Sequence, residues 1–383
     1  MSGAMAPGPP VIVAARRTAI GTAGRGFASH TVDALAAPVL TEVARLVAPA
    51  GVPIDDVVLG NCMGPGGDVA RVAALRAGLG DEVPGVTVDR QCGSGLDAVL
   101  QAASRVKAGD ARLVLAGGAE SASTAPHRTW PESGERYTRA PFAPPGLPDP
   151  DMGPAADHLA AVRGITRARQ DAWAARSHRL AASARDSGVF DAELVPVDGV
   201  DRDDRPRASL AVERLARFAP AFSSAPDATV TAGNSCGFSD GAAAMAVTTE
   251  QVARELGLPA MRIRAVAVAG GDPALPGLGA APAARAALAR AGLDARDLGF
   301  VEITEAFAAQ VLAVSDELGL DERLISGDGG AIALGHPWGA SGAVLLVRIA
   351  ARMAAASDDD RPGLAACSIG GGQGVAMIVE RLA

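Results

Sequence analysis

The segment Asp89-Arg90-Gln91-Cys92-Gly93-Ser94-Gly95-Leu96 decides how this chain is read. Residues 86–88 before it are apolar and strand-like. After it, Leu96, Val99, Leu100, Ala103 and Val106 recur at the spacing of one helix face. A strand turning sharply into a helix places Cys92 at a helix N-terminus, where unpaired N–H groups and the dipole favour a thiolate. Gly93, Ser94 and Gly95 let a substrate and a neighbouring backbone approach closely. Read alone, the segment is also compatible with a buried cysteine beside a tight turn.

Working outward, the same strand-then-helix rhythm runs through both ends of the chain. Apolar runs at 11–15, 57–59, 86–88 and 113–116 read as strands, as do 263–268, 300–303, 364–369 and 375–380. A second buried-looking helix follows Gly339, through Val344, Leu345, Val347 and Ile349. Alternation of this kind predicts α/β layers. Each end has a glycine-rich turn, a helix, then an apolar strand closing on glycines (Gly117-Gly118; Gly370-Gly371-Gly372), which suggests a duplicated unit. The middle differs. Residues 121–154 are rich in Pro, Ser, Gly and Arg, and a helix carrying Asp171, Trp173, Ala174, Ser177 and Leu180 follows. Long excursions from a compact core usually carry function or assembly contacts.

With 383 residues the chain exceeds a single compact core, so two or three packed units are expected. Apolar residues make up 49% but aromatics only 3%, so the core must be layered from Ala, Val, Leu and Ile. No uninterrupted run of 18 apolar residues occurs, which argues against a membrane span. The opening MSGAMAPGPP lacks the basic start and apolar stretch of a secretory signal, and the chain reads as cytoplasmic. A net charge of −8 with no basic block argues against nucleic-acid binding. Cys62, Cys92, Cys236 and Cys367 are scattered without metal-ligand spacing, so no metal site is expected.

Three further segments carry chemistry. His336 lies in the most glycine-rich stretch, Gly329-Gly330-Ala331-Ile332-Ala333-Leu334-Gly335-His336-Pro337-Trp338-Gly339-Ala340-Ser341-Gly342. An imidazole there can serve as base toward a thiol, and a cysteine with a sequence-distant histidine is the pattern of an activated nucleophile. Residues 301–310, Val-Glu-Ile-Thr-Glu-Ala-Phe-Ala-Ala-Gln, read as a strand entering a helix. Residues 366–374, Ala-Cys-Ser-Ile-Gly-Gly-Gly-Gln-Gly, read as a strand ending in a turn whose N–H groups could cradle an oxyanion, or as the turn of a plain hairpin.

Together, Cys-Gly-Ser-Gly-Leu, Glu-Ala-Phe-Ala-Ala-Gln, Gly-Gly-Ala-Ile-Ala-Leu-Gly-His-Pro-x-Gly-Ala-Ser-Gly and Ile-Gly-Gly-Gly-Gln-Gly resemble the four signature blocks of thiolases, in order. The resemblance covers nearly the whole chain, from about Pro10 to Leu382. It implies the thiolase fold: two βαβαβαββ halves in five αβαβα layers, with an inserted loop domain. By that reading residues 1–119 with 240–258 form the first half, 120–239 the loop domain and 259–383 the second half. The resemblance also implies a homodimer or homotetramer. Coenzyme A and acyl-CoA would be substrates, with no permanently bound cofactor. Cys92 would carry the acyl group and His336 would activate it, while the N–H groups of Cys92 and Gly370 form an oxyanion hole. Met152, Arg205, Phe222, Ala232, Cys236, Phe238 and Phe307 fall where coenzyme A is held.

The chain also departs from the family's pattern. Ser368 stands where a second catalytic cysteine is expected, and a hydroxyl is a far poorer base than a thiol. Neighbouring side chains on a strand point to opposite faces, so Cys367 is expected to face away from Cys92. Thr304 replaces the Asn that holds a water in the first oxyanion hole. Cys236 and Asp151 replace a serine and a histidine near the pantetheine arm. The expected activity is acyl transfer from acyl-CoA through Cys92, to coenzyme A or an acyl-CoA carbanion. The alternatives are transfer to an amine or alcohol, and a catalytically silent subunit.

Overall fold

The computed structural model describes residues 8–382. Five strands make the sheet of the first half: β1 (Pro10–Arg17), β2 (Asp56–Gly60), β3 (Gly85–Val88), β4 (Leu113–Ser121) and β5 (Ser239–Thr249), in the order β3-β2-β4-β5-β1. The second half repeats the scheme with β6 (Ala260–Gly270), β7 (Phe300–Ile303), β8 (Gly363–Ile369) and β9 (Gln373–Arg381), ordered β7-β8-β9-β6. A parallel bridge from Ile325 to Val301 stands where β3 stands in the first half. In both halves the outer strands pair in parallel and the closing strand is antiparallel. The sheets meet where Val11, Ile12 and Val13 pair with Arg262, Met261 and Ala260.

Alternation along each strand builds the layers, because successive side chains leave opposite faces of a sheet. In β4, Leu113 and Leu115 join an outer core with Val39 and Leu40 of α1 (Val32–Val47) and Ala70 and Ala73 of α2 (Val69–Arg76). Val114 and Ala116 face the other way, toward Val99 of α3 (Ser94–Ala108) and Leu346 of the last long helix. In β9, Val375, Met377 and Val379 share that inner core. Ala376 and Ile378 instead face Ala284 and Leu312 in the outer core of the second half. Helix, sheet, helix pair, sheet and helix thus stack as five layers, the thiolase arrangement that the resemblance implies.

Besides three two-residue strands, the structure adds one long strand that the apolar runs do not reveal. Strand β5 lies between β4 and β1 and is buried almost throughout. Its Ala242-Ala243-Ala244 is a poor strand signature, since alanine has little intrinsic preference for sheet. Small side chains are what a strand covered by helices on both faces requires.

Between β4 and β5 run α4 (Met152–Arg163) and α5 (Arg167–Asp186), then α6 (Ala280–Ala291) and α7 (Ala308–Leu318) follow in the second half, and α8 (Trp338–Ala355) near the end. Helix α8 is long and apolar enough to cross a membrane, yet it occupies the central layer beside α3, mostly buried. Glycines let the two helices touch by backbone. A Cβ at Gly95 would sit 2.8 Å from the Gly339 carbonyl oxygen, and one at Gly342 would sit 2.5 Å from the Leu96 nitrogen. Strand glycines do the same beneath them: a Cβ at Gly118 would collide with the Gly339 oxygen, and one at Gly60 with the Ser94 carbonyl carbon.

A buried ionic cluster fastens the excursion to this core. Arg17 donates to Glu193 at 2.6 Å and to both carboxylate oxygens of Asp203, while Arg348 of α8 pairs with Glu193 and Asp328. Breaking one member of such a cluster leaves an uncompensated buried charge.

The glycine contacts give a direct test. Gly118→Ala should lower stability by about 1–3 kcal/mol, the usual cost of forcing a methyl into a packed backbone contact. Gly270→Ala, where a Cβ meets nothing within 4 Å, should leave the melting temperature unchanged. Thermal melts of the two variants beside the parent protein make the comparison.

Candidate active site

Cys92 ends a turn built by its neighbours. Gln91 takes a left-handed backbone with φ of 48°. The Ser94 hydroxyl donates to the Gln91 carbonyl at 2.6 Å and accepts from the Arg90 N–H at 2.8 Å. This local lacing presents the Cys92 side chain at the start of α3, as the sequence suggests. Two N–H groups, from Cys92 itself and from Gly370 of the glycine turn, are directed at the sulfur. The expectation of a ready thiolate is corrected. Burial pushes the thiol up to about 12, with Glu120 and Asp89 adding repulsion, and the two amide donors offset only part of this. Desolvation outweighs the helix terminus here.

His336 stands at the start of α8 and is 2% exposed. Its Nδ1 lies 2.6 Å from the Ser341 hydroxyl, which itself donates to the Pro337 carbonyl. With that hydroxyl proton already given away, Nδ1 is the ring donor and Nε2 carries the lone pair. Nε2 is buried and has no partner among the described residues. Burial lowers the ring's pKa to about 4, so the imidazole is neutral and free to take a proton at pH 7. Cys92 and His336 each begin one of the two helices that touch through glycine.

Buried carboxylates, which the sequence gives no means to single out, hold this geometry. Glu120, at the end of β4, accepts from Asn61 Nδ2 (2.8 Å) and from the N–H groups of Cys62, Met63 and Gly339. It therefore pins the first turn of α8. Glu305 accepts from Trp173 Nε1 (2.9 Å), the Ser177 hydroxyl (2.7 Å) and the Ile332 N–H, tying α5 to the loop that leads to His336.

The two residues at the second thiol position part company on the strand. Cys367 and Ser368 do leave opposite faces of β8, but Cys367 takes the inner one. Its sulfur is fully buried in that core, 3.2 Å from the Thr304 hydroxyl. Ser368 is turned toward the segment before α6. It donates to the Gly277 carbonyl at 2.7 Å and accepts from the Ala280 N–H and Gln310 Nε2. Thr304 lines a cavity of about 20 Å³ with Gly335 and Ser341, room for one water.

Residues that the resemblance assigns to coenzyme A form a partly exposed apolar wall. Phe222 packs its ring on Gly153, next to Met152, and meets Phe307 edge-on at 5.9 Å. Ser235 bridges to Phe307, and the Cys236 N–H donates to the Ala306 carbonyl. Phe238, 69% exposed, stacks edge-on against Trp338, and its backbone bridges to His336. Ala232 is exposed at the turn before Asn234. Arg205 lies against Gly237. Cys62, which the sequence left without a role, donates to the Gln91 carbonyl at 3.0 Å and also feels Cys92, so all four cysteines share one neighbourhood.

Comparison with known proteins agrees with this layout. Family models for the thiolase N-terminal and C-terminal domains match residues 10–251 and 258–381. Acetyl-CoA acetyltransferases of Escherichia coli K12 and Pseudomonas aeruginosa are 42% and 41% identical, over 97% of this chain and 99% of each relative. The crystal structure of the Bacillus anthracis acetyl-CoA acetyltransferase matches with a TM-score of 0.91 at 37% identity, covering 99% of this chain and 100% of that one. Fold and relatives together define an acyltransferase. The chain belongs to the thiolase family.

The buried histidines predict acid sensitivity. His336 and His178 both have pKa values lowered to about 4, chiefly by burial. Below the ordinary value near 6.5 the unfolded chain binds protons that the folded chain refuses, so stability falls as pH drops from about 6.5 toward 4. Urea titrations across that range should show the loss, and His336→Asn should make the slope shallower.

Proposed function

We propose that this enzyme carries acyl groups as a thioester on Cys92. The observation that carries the reading is the meeting of two N–H groups on a half-buried sulfur, with a neutral, singly anchored imidazole at the start of the partner helix. His336 Nε2 takes the Cys92 proton as the thiolate attacks the thioester carbonyl. The N–H groups of Cys92 and Gly370 hold the oxygen as it gains charge. Collapse expels the coenzyme A thiolate, which takes the proton back from His336. Attack on the acyl-enzyme by coenzyme A reverses these steps, and attack by an acyl-CoA carbanion forms a carbon–carbon bond. Thr304, with a water in the adjoining cavity, serves the second oxygen-binding position. The wall of Met152, Phe222, Phe307, Cys236 and Phe238, with Ala232 at its turn, suits the pantetheine arm. On this reading coenzyme A is recognised by residues 120–239 and neighbouring loops.

A second reading rests on Ser368. Its proton is already given to the Gly277 carbonyl, and its oxygen already accepts from Ala280, so it is badly placed to remove an α-proton. An amine or alcohol acceptor needs no such step.

Incubation with acetyl-CoA should add one acetyl mass at Cys92, located by peptide mapping. An adduct on Cys62, Cys236 or Cys367 with Cys92 unmodified would refute the assignment. His336→Ala should slow acylation by about 10²–10⁴-fold, the usual contribution of a positioned base. The parent protein should acylate readily but condense two acetyl-CoA molecules slowly, and Ser368→Cys should raise condensation. Fast condensation by the parent, with no gain from the substitution, would remove the case for a different acceptor.

A further inference from the structure

Arg205, which the resemblance places where coenzyme A is held, has no partner among the described residues. It follows Asp203 and Asp204, but neither forms an ion pair with it. Asp203 is committed to Arg17, and Asp204 accepts from the N–H and hydroxyl of Thr22. The Arg205 guanidinium makes no hydrogen bond or ion pair with any described residue, and its Nε is shut off from solvent without a partner. Burial disfavours its charge most; Asp204 and the Cys236 thiol favour it from a distance, and Arg207 and Arg25 repel it, so its charge has no contact partner and its pKa is lowered. An unpaired, half-buried guanidinium among other cations is costly unless something negative joins it.

Its position says what that partner is. The guanidinium lies flat on Gly237, where a Cβ would collide with Nη1 and come within 2.6 Å of Cζ. Gly237 sits between Cys236, whose thiol feels both Arg205 and Cys92, and Phe238, whose backbone bridges to His336. The charge therefore stands near the thioester end of a substrate held at Cys92. The phosphates of coenzyme A are at the other end, a full pantetheine arm away. We propose that Arg205 recognises a carboxylate carried by the acyl chain, so that the preferred donors are coenzyme A thioesters of dicarboxylic acids. The inference rests on the acyl-enzyme reading above and assigns its substrate class.

Glutaryl-CoA and pentanoyl-CoA have the same number of acyl carbons and differ in one terminal carboxylate. The test is the rate at which each acylates Cys92 in the full-length protein, followed by intact mass and peptide mapping. The parent should prefer glutaryl-CoA. Arg205→Gln should cut the ratio of the two rates by about tenfold or more, the worth of a charge-assisted hydrogen bond. Arg205→Lys should keep part of the preference, because the charge remains while the planar fork is lost. Gly237→Ala, which displaces the guanidinium from its platform, should lower the ratio with Arg205 still present. Pentanoyl adducts on Cys92 without a preference for the carboxylate, or a ratio unchanged in Arg205→Gln, would overturn the inference and leave the acyl-enzyme reading standing. Absence of a Cys92 adduct from either thioester would overturn both.

Discussion

Amides and carbonyls from the starts of two helices, at Ser94–Leu96 and Gly339–Ala343, touch with no side chain between them. Everything chemical in the molecule follows from that approach. Only glycine allows it, and Gly60, Gly95, Gly118, Gly339 and Gly342 all contribute from different elements. The sulfur stands beside one of these helix starts and the imidazole beside the other.

Burial is the second theme, and it acts against the simplest electrostatic expectation. A helix N-terminus favours a thiolate, but a dry pocket with Glu120 nearby favours the thiol more strongly. The same dryness keeps His336 neutral. The resting site thus holds an uncharged thiol and an uncharged imidazole. Glu120 and Glu305 meet burial differently, by accepting several hydrogen bonds each, and so become fixed points for the loops that carry the site.

Much of this was legible in the chain itself. Runs of Val, Leu and Ile mark most strands because their branched or bulky side chains both favour sheet and fill its faces. The turn at Cys92 and the loop at His336 are visible because clustered glycines mark places where the backbone must turn tightly or be approached closely. Strand β5 was not legible, since its alanines signal nothing until helices are known to cover both faces. Alternation correctly separates Cys367 from Ser368 but is silent about the partners each finds, Thr304 for one and Gly277 with Ala280 for the other. A single Glu at a strand end reads as surface, so Glu120 could only be found once the loop at 61–63 and the start of α8 converged on it.

The place of β5 has a consequence in time. It pairs with β4 on one side and β1 on the other, yet it is encoded more than a hundred residues after β4. During synthesis β1 and β4 leave the ribosome first and wait, each with an open edge, while the whole excursion is made. The first sheet cannot close until residue 239 and its successors arrive, and the growing chain must meanwhile be kept from pairing those edges with a neighbour. Vulnerability to misassembly is therefore concentrated in one interval of translation, and it ends when an alanine-rich strand slides between two partners already made.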